Sequence, residues 1–238
     1  MRIDIITIFP EIFSPLDTSI VKRARSRGII KLHLWNLRDF SRDKHKKVDD
    51  APYGGGKGMV LACEPIFLAI EKVKKHNSES LTILTSPQGE VFTQKKAEDL
   101  SKTKGLIIIC GHYEGVDERV RAIVDYEISI GDYVLTGGEL PAMVIVDCIA
   151  RLLPGVLPEE APKYDSFSDC LLDWPCYTRP EDFRGLKVPE VLLSGDHARI
   201  KAWRLKQSIE RTKQRRPDLY ARYLKKKGGK DASESSSN

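Results

Sequence analysis

Residues 131–141 read Gly131-Asp132-Tyr133-Val134-Leu135-Thr136-Gly137-Gly138-Glu139-Leu140-Pro141. Glycine on both flanks of a short apolar stretch lets the backbone take positive φ and approach a neighbour closely. Main-chain N–H and C=O groups can then read a polar heterocycle without side chains. The segment is either a loop that wraps a small ligand or an ordinary strand-to-helix connection. Two more segments share its grammar. Thr85-Ser86-Pro87-Gln88-Gly89 follows Leu81-Thr82-Ile83-Leu84, and Cys110-Gly111-His112-Tyr113-Glu114-Gly115 follows Gly105-Leu106-Ile107-Ile108-Ile109. Each is an aliphatic run that breaks into glycine and polar residues, as a buried parallel strand does where it ends. Ligands of open α/β sheets sit at those carboxyl ends, so the three segments predict one composite pocket.

Other chemistries fit less well. Tyr53-Gly54-Gly55-Gly56-Lys57-Gly58-Met59 looks like a phosphate loop, but Ala51 stands where the first glycine belongs and Gly58 where Ser or Thr belongs. Met59 likewise breaks the dinucleotide fingerprint. Beside the basic run Lys44-His45-Lys46-Lys47 the loop reads as a phosphate contact or as a structural turn. The histidines include no i, i+4 pair, so no catalytic zinc is expected. Cys110 has His112 nearby at a strand end, but covalent catalysis through this thiol is not expected. Carboxylates and arginines remain. Asp165, Asp169 and Asp173 recur at every fourth position. On a helix they would share a face, as catalytic acids or as acidity complementing a helix dipole. Arg151 closes the helix that begins beside the glycine-rich loop.

The elements that must position these groups alternate. Strands are expected at about 2–8, 31–35, 81–85, 105–110 and 125–130. Helices are expected up to Ala24, at 64–76, 93–102, 116–122, from Pro141 to about Ala150, and from His197 to Thr212 with Trp203, Leu205 and Ile209 on its buried face. This is an α/β fold with a mostly parallel sheet. Residues 156–170 are acidic, proline-bearing and aperiodic, and read as a flexible interdomain linker. That divides the chain into an α/β domain over 1–155, the linker, a small C-terminal helical domain over 171–227, and a Gly/Ser-rich disordered tail over 228–238.

Charge is distributed unevenly. Between Arg199 and Lys230 thirteen Lys/Arg face only Glu210 and Asp218, although the whole chain carries a net charge of only +5. A cationic end on a near-neutral body fits a polyanion, most simply nucleic acid, or a solubilising helix face. The five cysteines form no C-x-x-C pair and suggest a reducing compartment. No stretch has the length or apolarity of a signal peptide or membrane span, so a cytoplasmic protein without membrane contact is expected.

Taken together, these segments resemble a known family. Ile8-Phe9-Pro10, Asp49-Asp50-Ala51-Pro52-Tyr53-Gly54-Gly55-Gly56, Ser86-Pro87-Gln88-Gly89, Gly111-His112-Tyr113-Glu114-Gly115, Ile130 through Pro141, Asp165-Ser166-Phe167 and Trp203-Arg204-Leu205-Lys206-Gln207-Ser208 occur in the order found in bacterial tRNA (guanine-N1)-methyltransferases. The resemblance implies a SPOUT-like fold with a deep trefoil knot. It also implies methyl transfer from S-adenosyl-L-methionine to N1 of guanosine 37, beside the anticodon. The cofactor cradle it implies comprises Ser86, Pro87, Gly111, Ile130, Gly131, Asp132, Tyr133, Val134, Leu135, Gly137, Gly138 and Pro141. Asp165 would be the general base and Arg151 the stabiliser of charge on guanine O6. Glu114 would read the neighbouring guanine, and Asp173 would be a further acid of the site. Trp203, Arg204, Lys206, Arg211, Arg215 and Arg216 would contact tRNA. The family acts as a homodimer with its active site at the subunit interface, and depends on Mg2+, for which no ligand residue can be named. His112 departs from the arginine of many relatives.

Two other functions remain to be separated from this one. A knotted tRNA ribose 2′-O-methyltransferase would share the cofactor pocket but has no use for a base aimed at guanine N1. A non-catalytic RNA-binding protein on the same scaffold would have no need of the pocket glycines and Asp165.

Overall fold

The computed structural model describes residues 1–161 and 165–234. It divides into two compact units, Met1–Pro158 and Glu159–Asn238. The first unit is built on five strands: β1 (Arg2–Thr7), β2 (Lys31–Asn36), β5 (Ser80–Val91), β6 (Gly105–Cys110) and β7 (Tyr126–Ser129). They form one sheet in the order β2-β1-β6-β5-β7, and every neighbouring pair is parallel.

Period-two alternation assigns the strand residues to two cores. Ile3, Ile5, Leu106, Ile108, Cys110 and Ile83 face one side. There they pack against α1 (Ser19–Ser26) and α4 (Glu139–Ala150), which contribute Val21, Ala24, Ala142, Ile145, Val146 and Ile149. Ile6, Ile107, Ile109 and Leu84 face the other side, under Ile66, Ala69, Ile70 and Val73 of α2 (Cys63–Lys74). Burial on both faces is what an all-parallel sheet requires. Helix α3 (Gln94–Ser101) adds Leu100 to the first core, and Thr93 caps it by accepting from Lys96 N–H at 3.2 Å.

Several boundaries differ from expectation for identifiable reasons. The stretch leading to Ala24 is a 3-10 segment over Pro10–Asp17 followed by α1, because Pro15 removes a donor from the middle of what would have been one helix. Strand β5 runs on to Val91, with a register shift against β7 between Thr85 and Glu90. The expected helix near 116–122 is a short 3-10 segment, Glu118–Ile123. A two-residue pair, β3 (Asp49–Asp50) with β4 (Val60–Leu61), frames the glycine-rich loop.

The second unit contains a small hairpin, β8 (Asp182–Phe183) with β9 (Leu186–Lys187), and then α5 (Glu190–Leu193), α6 (His197–Arg215) and α7 (Pro217–Glu234). The face of α6 that is buried carries Ser208 and Thr212. Leu205 is exposed, and Trp203 and Ile209 are half-buried, contrary to the face expected from apolarity. The reason is local. Thr212 Oγ1 donates to Ser208 O at 2.6 Å and accepts from Leu172 N–H at 2.8 Å, so the helix seats its own unit's chain on small polar residues. Helix α7 continues to Glu234 through the stretch read as a disordered tail. Residues 235–238, and 162–164 of the expected linker, lie outside the described residues.

Candidate active site

Strands β6, β5 and β7 lie side by side, so the segments leaving β6 and β7 converge on Ser86–Gly89, the part of β5 where its register against β7 shifts. They enclose a pocket of about 340 Å³ in the first unit, within the size range of small-molecule sites. Eleven of the twelve residues expected as a cofactor cradle line it: Ser86, Pro87, Gly111, Ile130, Gly131, Tyr133, Val134, Leu135, Gly137, Gly138 and Pro141. Asp132 is exposed and is not part of the lining. Glu114 lines the same pocket.

Gly138 shows why the sequence needs glycine here. Its N–H donates to Gly111 O at 2.7 Å. A Cβ at this position would overlap Thr85 Oγ1 and sit 2.7 Å from Gly111 N and 2.9 Å from Cys110 Cα. The loop therefore passes between the ends of β5 and β6 at main-chain distance. Gly131 has φ +149°, and a Cβ there would press on the Tyr133 ring. The walls are apolar where Pro87, Ile130, Leu135 and Pro141 stand, and Gly111, Gly131, Gly137 and Gly138 bring main chain to the lining. This fits a purine nucleoside, whose faces want apolar contact and whose edge wants hydrogen bonds. A filled cradle would leave no room for one.

One corner of the pocket is polar. Arg121 donates to Glu118 Oε2 at 2.8 Å and to Gln88 Oε1 at 3.1 Å, and it pairs with Glu127. The sequence reading did not select these residues. Asp117 is held below the usual carboxylate range by the hydrogen bond from Arg119. Cys110 is buried, and desolvation pushes its thiol well above the normal value, so it supplies no thiolate nucleophile. The glycine-rich loop touches this site: Glu114 N–H donates to Met59 O at 3.0 Å, and a Cβ on Gly58 would press 2.6 Å from Glu114 Cγ.

Arg151 is half-buried at the C-terminal cap of α4, its N–H bonded to Asp147 O at 3.3 Å. Asp165, Asp169 and Asp173 belong to the second unit. They do not share a helix face. Phe167 and Cys170 take positive φ, so the segment turns instead of coiling. Asp165 O accepts from Ser168 Oγ at 2.7 Å, Asp169 pairs with Lys226, and Asp173 accepts from Ser166 Oγ.

Of the basic residues expected to meet tRNA, Arg204 stands over the Trp174 ring at 5.0 Å. Arg211 donates to Asp173 O at 3.2 Å, and Arg216 forms a two-pronged pair with Asp218 at 2.9 and 2.7 Å. Lys206 and Arg215 are exposed on α6, and Trp203 is half-buried there. Among the described residues, no three His, Cys, Asp or Glu side chains gather as metal ligands. No helix among them is long and apolar enough to cross a membrane.

A parallel sheet that carries a glycine-rich pocket beside its carboxyl ends defines an α/β protein with a nucleoside-sized site. The family follows from comparison. A family model described as tRNA (Guanine-1)-methyltransferase TrmD matches residues 1–222. Proteins named tRNA (guanine-N(1)-)-methyltransferase are similar along nearly their whole length. The one from Dictyoglomus turgidum is 57% identical, over 92% of this chain and 89% of its own. That from Moorella thermoacetica is 59% identical over 93% and 91%. That from Geobacillus kaustophilus is 58% identical over 94% and 93%. The chain belongs to the tRNA (guanine-1)-methyltransferase family.

Proposed function

We propose that this protein transfers the methyl group of S-adenosylmethionine to N1 of guanosine 37 in tRNA. The observation that carries the reading is the convergence of the three loop segments on one pocket, where a Cβ at Gly131, Gly137 or Gly138 would clash with the surrounding chain. Pro87, Ile130, Leu135 and Pro141 would hold the adenine of the donor, and main-chain groups around Gly131 and Gly137 would meet its edge. When bound, the donor supplies an electrophilic methyl group. The protein's own groups then handle the proton and the charge. Asp165 would accept the proton from guanine N1. Arg151 would stabilise negative charge on O6, and Glu114 would accept from the N–H edge of the adjacent guanine. Basic residues of α6 would position the tRNA through its phosphates.

We read the chain as a homodimer whose sites combine the pocket and Arg151 of one subunit with the partner subunit's Asp165. An apolar surface supports this. Leu140 and Val144 are 47% and 40% exposed on α4, a helix apolar around most of its circumference, and Val134 at the pocket rim is 82% exposed. Such a helix calls for a covering surface. The close passage of Gly138 between the ends of β5 and β6 is the feature that would close a trefoil knot. Mg2+ has no assigned ligands in this reading.

The test is methyl transfer from labelled donor into transcripts carrying guanosine or adenosine at position 37. Labelling confined to the guanosine transcript supports the reading. Equal labelling of both would remove guanine N1 as the target and favour a ribose 2′-hydroxyl.

A further inference from the structure

Next to the pocket-lining residues His112 and Gly138 lies a buried polar group that the reaction above does not use. Glu139 opens α4 and is 3% exposed. Its Oε1 accepts from Thr7 Oγ1 at 2.8 Å, and Thr7 Oγ1 in turn accepts from Phe9 N–H at 2.9 Å. Among the described residues, the cation-forming side chain within ion-pair reach of Glu139 is His112, whose Nδ1 is 3.8 Å from Oε2. That nitrogen is buried and has no hydrogen-bond partner among the described residues. A buried carboxylate and a buried, unmatched ring nitrogen thus face each other across a gap about 1 Å longer than a charge-assisted hydrogen bond. An unmatched buried polar group is costly, and a small closure of this gap would satisfy the nitrogen.

The surroundings fix both groups. The His112 ring makes edge contacts with Phe9 at 5.1 Å and Tyr113 at 4.8 Å. Gly137 lies against both partners: a Cβ there would be 2.5 Å from Nδ1 and would overlap Glu139 Oε2. An antiparallel bridge also ties Gly137 to His112. The other titratable groups here are Cys110, Tyr113 and Glu114. Cys110 is neutral, its thiol pushed up by burial and by the charge of Glu139. Tyr113 presents its ring to His112, and Glu114 stands two residues along in the pocket lining.

We propose that Glu139 is a positioning residue: acting on His112 Nδ1, it locks loop 131–138 to the end of β6 in its ligand-binding form. The effect on ligand affinity rests on the donor-pocket reading, whereas the contact itself does not.

The test uses the full-length protein. The Nδ1 environment of His112 is followed by nitrogen NMR of ring-labelled histidine and assigned with His112→Gln. In the parent protein Nδ1 shows the signature of a bond to the carboxylate, and that signature is lost in Glu139→Gln, which retains shape and the Thr7 bond. Calorimetry with S-adenosylmethionine then gives affinities. Glu139→Gln and His112→Gln should each weaken binding about tenfold. His112→Arg should recover most of the loss seen in His112→Gln, because a guanidinium also donates to the carboxylate. An identical Nδ1 signal in the parent and Glu139→Gln would overturn the contact. Unchanged donor affinity in both glutamine variants would overturn the lock. Absence of donor binding by the parent protein would instead refute the donor pocket, with the NMR signal still deciding the contact.

Discussion

Replacing Gly138 by alanine adds one methyl group at a crowded point of the molecule. The new carbon would overlap Thr85 Oγ1 and stand 2.7 Å from Gly111 N and 2.9 Å from Cys110 Cα. Two of the three obstacles are main chain at the end of β6, so rotamer changes cannot relieve them. The loop must back away by about 1 Å, which weakens the 2.7 Å bond from Gly138 N–H to Gly111 O. It also weakens the 3.2 Å contact from Thr85 Oγ1 to Gly138 O. Overpacking of a tight site costs about 1–3 kcal/mol, and a lost hydrogen bond about 0.5–1.5 kcal/mol more. A destabilisation of roughly 2–5 kcal/mol lowers Tm by about 5–15 °C for a unit of this size. Thermal unfolding by calorimetry, with and without S-adenosylmethionine, reads both consequences. The variant should melt early and gain little from the donor. A melt within 1 °C of the parent protein would refute the close-approach argument, and full donor stabilisation would separate that crowding from the pocket.

Three further outcomes are expected. Thr7→Val removes the hydrogen bond to buried Glu139 while keeping shape, and should cost about 1.5–3 kcal/mol in denaturant unfolding; no change would mean Glu139 is satisfied elsewhere. Asp165→Ala should lower single-turnover methyl transfer by about 10²–10⁴-fold with donor affinity unchanged, and a large loss of donor affinity would make Asp165 a ligand contact instead. The bond from Arg216 depresses Asp218 to about 2, so its contribution is present above the unfolded value of about 3.9 and fades as pH falls through about 2. Carboxyl NMR should place the Asp218 midpoint near that lower value and return it toward normal in Arg216→Gln.

The parts of this structure that were legible in the sequence are those with local signals. The strands around Ile3–Ile6 and Leu106–Ile109 declare themselves by apolar runs, and their parallel order follows from intervening helices. The pocket was legible because each of its three segments breaks from an aliphatic run into glycine. What escaped has no local period. The pair Asp49–Asp50 with Val60–Leu61 is too short to alternate. Helix α7 was obscured by Pro217 at its start and by Gly228-Gly229, although proline is tolerated in a first turn and Lys225–Lys227 favour the helix. The four-residue spacing of Asp165, Asp169 and Asp173 suggested a helix face, but positive φ at Phe167 and Cys170 breaks it. The Thr7–Glu139 bond joins residues 132 apart in the sequence, so no local pattern announces it.

A site shared between two subunits is tested most directly by mixing inactive variants. Arg151→Ala and Asp165→Ala should each be nearly inactive alone. After unfolding and refolding together in equal amounts, half of the dimers are mixed, and each mixed dimer has one site with both residues intact. Methyl transfer should return to about a quarter of the parent level. A mixture no more active than its two components would contradict the shared site.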